Sequence, residues 1–104
     1  MELKLMEFFE SLSNQSRYSY PGLYCVSCVI TQNSIFGESE NVYESLFTIY
    51  CQLLEGVFED QKLQKDFQLY GGESFRFDPV NYGEKFRDPV FRRNMLQDLH
   101  NKPY

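Results

Sequence analysis

The sequence predicts a mainly α-helical fold, a small bundle around a central helix at about residues 39–58, and three observations lead there. Residues 39–58 repeat apolar side chains with the helical period along their whole length. Residues 2–13 show the same period with a polar opposite face. Strict alternation, by contrast, is confined to a short stretch around Phe75 and Phe77, and a lone strand has nothing to pair with. If residues 23–31 were a strand, the fold would be α+β instead, and that alternative stays open at this level.

The elements follow in order. In residues 2–13, Leu5, Met6, Phe8, Phe9 and Leu12 fall on one arc of a helical wheel, with Lys4, Glu7, Glu10 and Ser11 opposite. Residues 13–20 are polar and break the period, and Pro21 suits either a helix's first position or the punctuation of a loop. Residues 23–31 form a nearly continuous apolar run rich in Val and Ile, which reads as either a buried helix or a buried strand. Helix is the expectation, because a strand needs partners. Residues 32–38, with Gly37, read as a loop.

The central helix is expected to start at Ser39 as N-cap, with Glu40 just inside. Val42, Leu46, Ile49, Leu53 and Val57 form one stripe, and Tyr43, Phe47, Tyr50, Leu54 and Phe58 a second beside it. The polar strip left over is Glu44, Ser45, Thr48, Gln52, Glu55 and Glu59. The phase then jumps near Glu59, so Asp60 is expected to cap a new helix over residues 61–70 that Gly71 and Gly72 stop. A short echo follows, Phe75-Arg76-Phe77-Asp78-Pro79-Val80 and Phe86-Arg87-Asp88-Pro89-Val90. Asp-Pro suits a helix start, so the second copy is expected to open a helix with Phe91, Met95, Leu96 and Leu99 inward, and Gly83 to limit the first to about a turn.

A chain of 104 residues, 42% hydrophobic and 24% charged, fits one globular domain spanning 1–104. Three cysteines, an odd number, and no secretory leader pattern point to the cytoplasm, and no apolar run reaches the ~20 residues of a membrane helix. The net charge of −5 argues against nucleic-acid or anionic-membrane binding, which draws on clustered Lys and Arg. The imbalance is local: residues 1–60 carry nine acids against two bases, residues 61–104 six against eight.

Motifs for catalysis are thin. Cys25-Val-Ser-Cys28 has the spacing of a thiol pair, yet no cation lies close in sequence to stabilise a thiolate, so buried inert cysteines are the expectation. Cys25, Cys28, Cys51 and His100 match a tetrahedral zinc site in number, although only one ligand pair is present, and no cofactor is expected. His100 is the one histidine, and nucleotide-binding glycine loops are absent. Arg76, Lys85, Arg87, Arg92 and Arg93 interleave with aromatics, but Asp78, Glu84 and Asp88 dilute them.

A binding role without catalysis is therefore expected. The acidic half offers Glu38, Glu40, Glu44, Glu55, Glu59 and Asp60 as a partner-binding set that would steer a basic protein. The favoured expectation is a stoichiometric inhibitor of the immunity-protein or antitoxin type, covering the cleft of a basic toxin such as a nuclease. The alternative is a non-catalytic adaptor or regulatory subunit with an apolar contact.

Overall fold

The computed structural model describes residues 20–101, so the amphipathic helix expected at residues 2–13 lies outside the described residues. The chain runs β1 (Gly22–Cys28), β2 (Ser34–Ser39), α1 (Val42–Glu55), α2 (Gln61–Tyr70), β3 (Phe75–Tyr82) and α3 (Pro89–Asn101), with 3-10 turns at Gly72–Ser74 and Glu84–Arg87. The strands form one antiparallel sheet in the order β2-β1-β3. This overturns the mainly helical expectation: the fold is α+β, the apolar run after Pro21 is a strand, and so are the expected loop before Ser39 and the first Asp-Pro copy.

The physical reason lies in β1. As the middle strand it is covered on both faces, so its apolar residues do not alternate with polar ones and its pattern resembles a buried helix. Leu23, Val26 and Cys28 are wholly excluded from solvent. Val26 faces Phe77 on one side and Ile35 on the other, and these lie on the face that α1 and α2 cover. The opposite face carries α3, where His100 meets the Phe36 ring edge-on.

The main core joins Val26, Cys28, Phe75 and Phe77 of the sheet to Val42, Leu46, Ile49, Tyr50 and Leu53 of α1 and to Leu63 and Phe67 of α2. Edge-on aromatic packing links Tyr50 to Phe67 and Phe77, and Phe67 to Phe75, at centroid distances of 5.3–6.4 Å. The aromatics that interleave with arginines near residue 76 are thus core side chains. The second stripe of α1 is less covered than expected at Phe47 and Leu54, which are about half exposed, and Val57 of the first stripe falls beyond the end of the helix and is exposed.

Local signals set the helix ends. The N-cap of α1 is Asn41, whose side chain accepts from the Glu44 N–H at 3.0 Å. Ser39, the expected cap, is one step removed: its Oγ accepts from the Asn41 N–H at 3.0 Å and sits 2.5 Å from Ser45 Oγ. Gly56 ends α1 at φ 80, the left-handed geometry that glycine adopts without strain, and this stop explains the phase jump near Glu59. Asp60 caps α2 as the pattern predicts, accepting from Leu63 N–H at 3.0 Å. In α3, Asp88 Oδ1 accepts from Val90 N–H at 2.9 Å, while Phe91, Met95, Leu96 and Leu99 are half-buried. The first copy of the same dipeptide behaves differently. Pro79 sits in an edge strand beside a bulge, because Leu23 pairs with Asn81 and Tyr24 with Pro79, leaving Val80 over, and such positions tolerate a missing N–H.

Three buried polar side chains join these elements. Arg92 of α3 donates to Glu38 Oε2 of β2 at 3.2 Å and to the Phe86 carbonyl at 2.9 Å, tying α3 to the sheet edge and to the turn before it. Gln64 donates to the Leu53 carbonyl at 3.1 Å and accepts from the Phe58 N–H at 2.9 Å, fastening the link between α1 and α2. Asp66 accepts from Thr31 Oγ1 at 2.6 Å and Asn33 Nδ2 at 2.9 Å, holding the β1–β2 hairpin against α2. Among the described residues, no helix is long and apolar enough to cross a membrane.

Replacing Arg92 by Leu is expected to cost about 2–4 kcal/mol in urea unfolding, because it leaves Glu38 without its charge partner and the Phe86 carbonyl without a donor. Gln64→Ala should cost about 1–3 kcal/mol, leaving the Phe58 N–H unsatisfied. Values for both within ~0.5 kcal/mol of wild type would deny these side chains their joining role.

Candidate functional site

A cleft of about 450 Å³ opens where α1 overhangs β2, the edge strand of the sheet. Its floor is Tyr24, Ile35, Ile49 and Phe58. One wall is the polar strip of α1, represented by Glu44, Ser45, Thr48 and Gln52, and the rim carries Glu40 and Glu59. The helical wheel explains the wall: with the apolar stripe turned to the sheet, the strip beside it has to overhang β2.

Tyr24 reaches the floor because of its ladder partner. It lies opposite Gly37, and a Cβ at that position would collide with the Tyr24 ring and hydroxyl. The glycine that makes residues 32–38 look like a loop is therefore the space across which the Tyr24 ring lies. Burial raises the Tyr24 phenol above its ordinary pKa of 10.0, and the carboxylates of Glu59 and then Glu38 raise it further. At neutral pH it is a hydrogen-bond donor.

The six acidic residues expected to bind a partner have different places. Glu40, Glu44 and Glu59 line the cleft. Glu38 lies in β2 and pairs with Arg92. Asp60 caps α2. Glu55 is exposed in the last turn of α1 and does not line the cleft. The cleft lining includes no Lys or Arg. What the sequence reading missed was Tyr24, together with the polar strip residues as a wall. A Gly-x-Tyr at the start of an apolar run, followed by a second glycine in its hairpin partner, was the signal available.

The cysteine motif dissolves in the strand. Cys25 and Cys28 are three residues apart in β1, so they project from opposite faces. All three cysteines are free thiols; Cys28 is buried, while Cys25 and Cys51 are half-buried. Burial raises the Cys25 pKa, the Asp78 carboxylate adds to this and Arg76 opposes it, the reverse of what a reactive thiolate needs. Among the described residues, no three His, Cys, Asp or Glu side chains come together as a metal centre.

No protein-family pattern matches the chain, and no curated protein sequence does. Solved structures do. The catalytic domain of the homing endonuclease I-TevI superposes with a TM-score of 0.59 at 18% identity, covering 79% of this chain and 90% of that domain. A mutant of the same domain, described as that of an intron endonuclease, gives a TM-score of 0.60 at 18% identity over 80% of this chain and 87% of its own. The chain thus shares its fold with the catalytic domain of that endonuclease. This corrects the expectation of a protein without catalysis, which rested on the absence of familiar triads and nucleotide loops.

Two outcomes test the Tyr24 geometry. Gly37→Ala should displace the phenol and cost about 1–3 kcal/mol, as overpacking does, with the displacement read from the Tyr24 ring resonances. The raised phenol also sets an alkaline limit. Its neutral form is common to both states below the unfolded value of 10.0, so stability is fully present there and is lost as pH rises through the higher folded value. Tyr24→Phe should flatten the fall in unfolding free energy above pH 10.0; an unchanged slope would place the Tyr24 phenol in ordinary surroundings.

Proposed function

We propose that this domain is a nuclease-type phosphodiesterase whose reaction site is the Tyr24 cleft. The observation that carries the reading is the likeness to an endonuclease catalytic domain over 80% of the chain, with the cleft open at the sheet edge. In this reading the protonated Tyr24 phenol donates to a phosphoryl oxygen, where charge builds up during attack. Glu59 takes a proton from the attacking water as that oxygen bonds to phosphorus, and the departing oxygen is protonated by solvent. Ser45, Thr48 and Gln52 supply neutral polar groups along one wall, suited to orienting a phosphate. With three carboxylates and no basic residue in the lining, hydrolysis should depend strongly on cations that screen the substrate.

The lining itself favours a second reading. Glu40, Glu44 and Glu59 around one concavity suit a basic loop of a partner protein, such as a nuclease toxin held in stoichiometric complex. Its association rate would fall steeply with salt.

The test is nicking of supercoiled plasmid, with single-stranded DNA and RNA in parallel, in magnesium and in manganese. Wild-type protein should cleave at least one of these. Tyr24→Phe and Glu59→Gln should each lose about 10²-fold or more in rate while melting normally. No cleavage of any substrate by pure wild-type protein would refute the hydrolytic reading. Salt-sensitive, one-to-one capture of a basic protein, abolished by reversing Glu44 and Glu59 to Lys, would then establish the second.

A further inference from the structure

We propose that Ser45 makes the cleft select RNA. Its hydroxyl is an acceptor only, and it takes a hydrogen bond from the 2′-hydroxyl of the sugar whose 3′ oxygen carries the scissile phosphate. The inference rests on the phosphodiesterase reading of the cleft and narrows its substrate to one kind of nucleic acid.

It starts from a count of hydrogens. A hydroxyl has one hydrogen to give and two lone pairs with which to accept. Ser39 Oγ lies 2.8 Å from the Asn41 carbonyl, 3.0 Å from the Asn41 N–H and 2.5 Å from Ser45 Oγ. The carbonyl can only accept, so the Ser39 hydrogen goes there. The Asn41 N–H can only donate, so it fills one Ser39 lone pair. Two hydroxyl oxygens 2.5 Å apart need a hydrogen between them, and Ser45 alone is left to supply it. The reverse assignment would set the Ser39 oxygen against the Asn41 carbonyl oxygen with no hydrogen between two negative atoms. Asn41 is itself fixed, because its side chain caps α1 and its carbonyl also accepts from the Ser45 N–H at 3.0 Å. Ser39 is therefore saturated. Ser45 has given its hydrogen and keeps its lone pairs, and among the described residues its hydroxyl has no other partner.

Both serines line the cleft. A hydroxyl in this state repels a phosphoryl oxygen and accepts from a donor, and the neighbouring Glu40 and Glu44 carboxylates have the same preference. Phosphate and ester oxygens of a nucleic-acid backbone are acceptors, whereas the ribose 2′-hydroxyl can donate and is what separates RNA from DNA. The spacing fits as well. The Tyr24 ring lies across Gly37, and Ser39 follows two residues later on the same face of β2, about 7 Å along the strand. A phosphoryl oxygen held by the Tyr24 phenol and a 2′-hydroxyl held by Ser45 are linked through adjacent sugar carbons. Two hydrogen bonds of about 2.7 Å complete the span. Ser45 thus orients the phosphate through its sugar.

The experiment compares cleavage rates of the whole protein on single strands of one sequence, made throughout with ribose, deoxyribose or 2′-fluororibose, in magnesium and in manganese. The 2′-fluoro strand keeps a polar 2′ substituent and loses the donor. RNA should be cut about tenfold or more faster than either of the others, the size expected for one hydrogen bond and an acceptor left unpaired. Ser45→Ala should bring the ratio of RNA to 2′-fluoro rates to within about twofold of one, whatever happens to the absolute rates. Ser45→Thr, which keeps the hydroxyl, should retain the preference. Equal or slower cleavage of RNA by wild-type protein, or a ratio unchanged in Ser45→Ala, would overturn the inference and leave the phosphodiesterase reading standing. RNA products ending in a 2′,3′-cyclic phosphate would also overturn it, since the 2′-hydroxyl would then be the attacking group. Cleavage of no strand would overturn the inference together with the reading beneath it.

Discussion

Strand β1 has a hydrogen-bonded neighbour on each edge and packed side chains on each face, and the rest of the molecule is arranged around that requirement. Its three fully buried residues, Leu23, Val26 and Cys28, lie on both sides of the sheet, so helices have to cover both. Covering one face with α1 and α2 and the other with α3 leaves β2 and β3 as outer strands. The bulge near Val80 adjusts β3 to this strand, and the cleft opens where the polar strip of α1 meets β2.

The helices were largely legible in the sequence and the sheet was not, for a reason that residues make plain. Asp60, Gly71 and Asp88 announce helix boundaries through local hydrogen bonds and backbone geometry, which need no knowledge of distant partners. Strand identity is non-local. Ser34–Ser39 contains Gly37 because Tyr24, from another strand, crosses there, and without that partner the glycine signals a loop. Asp78-Pro79 and Asp88-Pro89 are the same dipeptide with opposite outcomes, decided by whether β1 is adjacent. The acidic residues of the first half were visible as a set, but nothing in their spacing separates Glu59 on the cleft from Asp60 at a helix cap.

The cleft joins two properties that usually occur apart. Its fold is shared with an endonuclease catalytic domain, and its lining carries carboxylates where a polyanionic substrate would favour basic groups. Any reading of its chemistry has to account for a neutral phenol under a negative rim, and the hydrolytic and protein-binding readings do so by assigning different partners to that rim.

The two sides of the cleft are also held by different kinds of force. Phe58 is kept in place by the Gln64 carboxamide, a neutral group hydrogen-bonded to backbone at both ends. The β2 side is tethered to α3 through a full charge pair, Arg92 with Glu38. A neighbour that brings charge without bulk would therefore compete for one anchor and leave the other untouched. The cleft would then deform from the strand side while the helical side stayed rigid, a mechanical polarity built from one amide and one guanidinium.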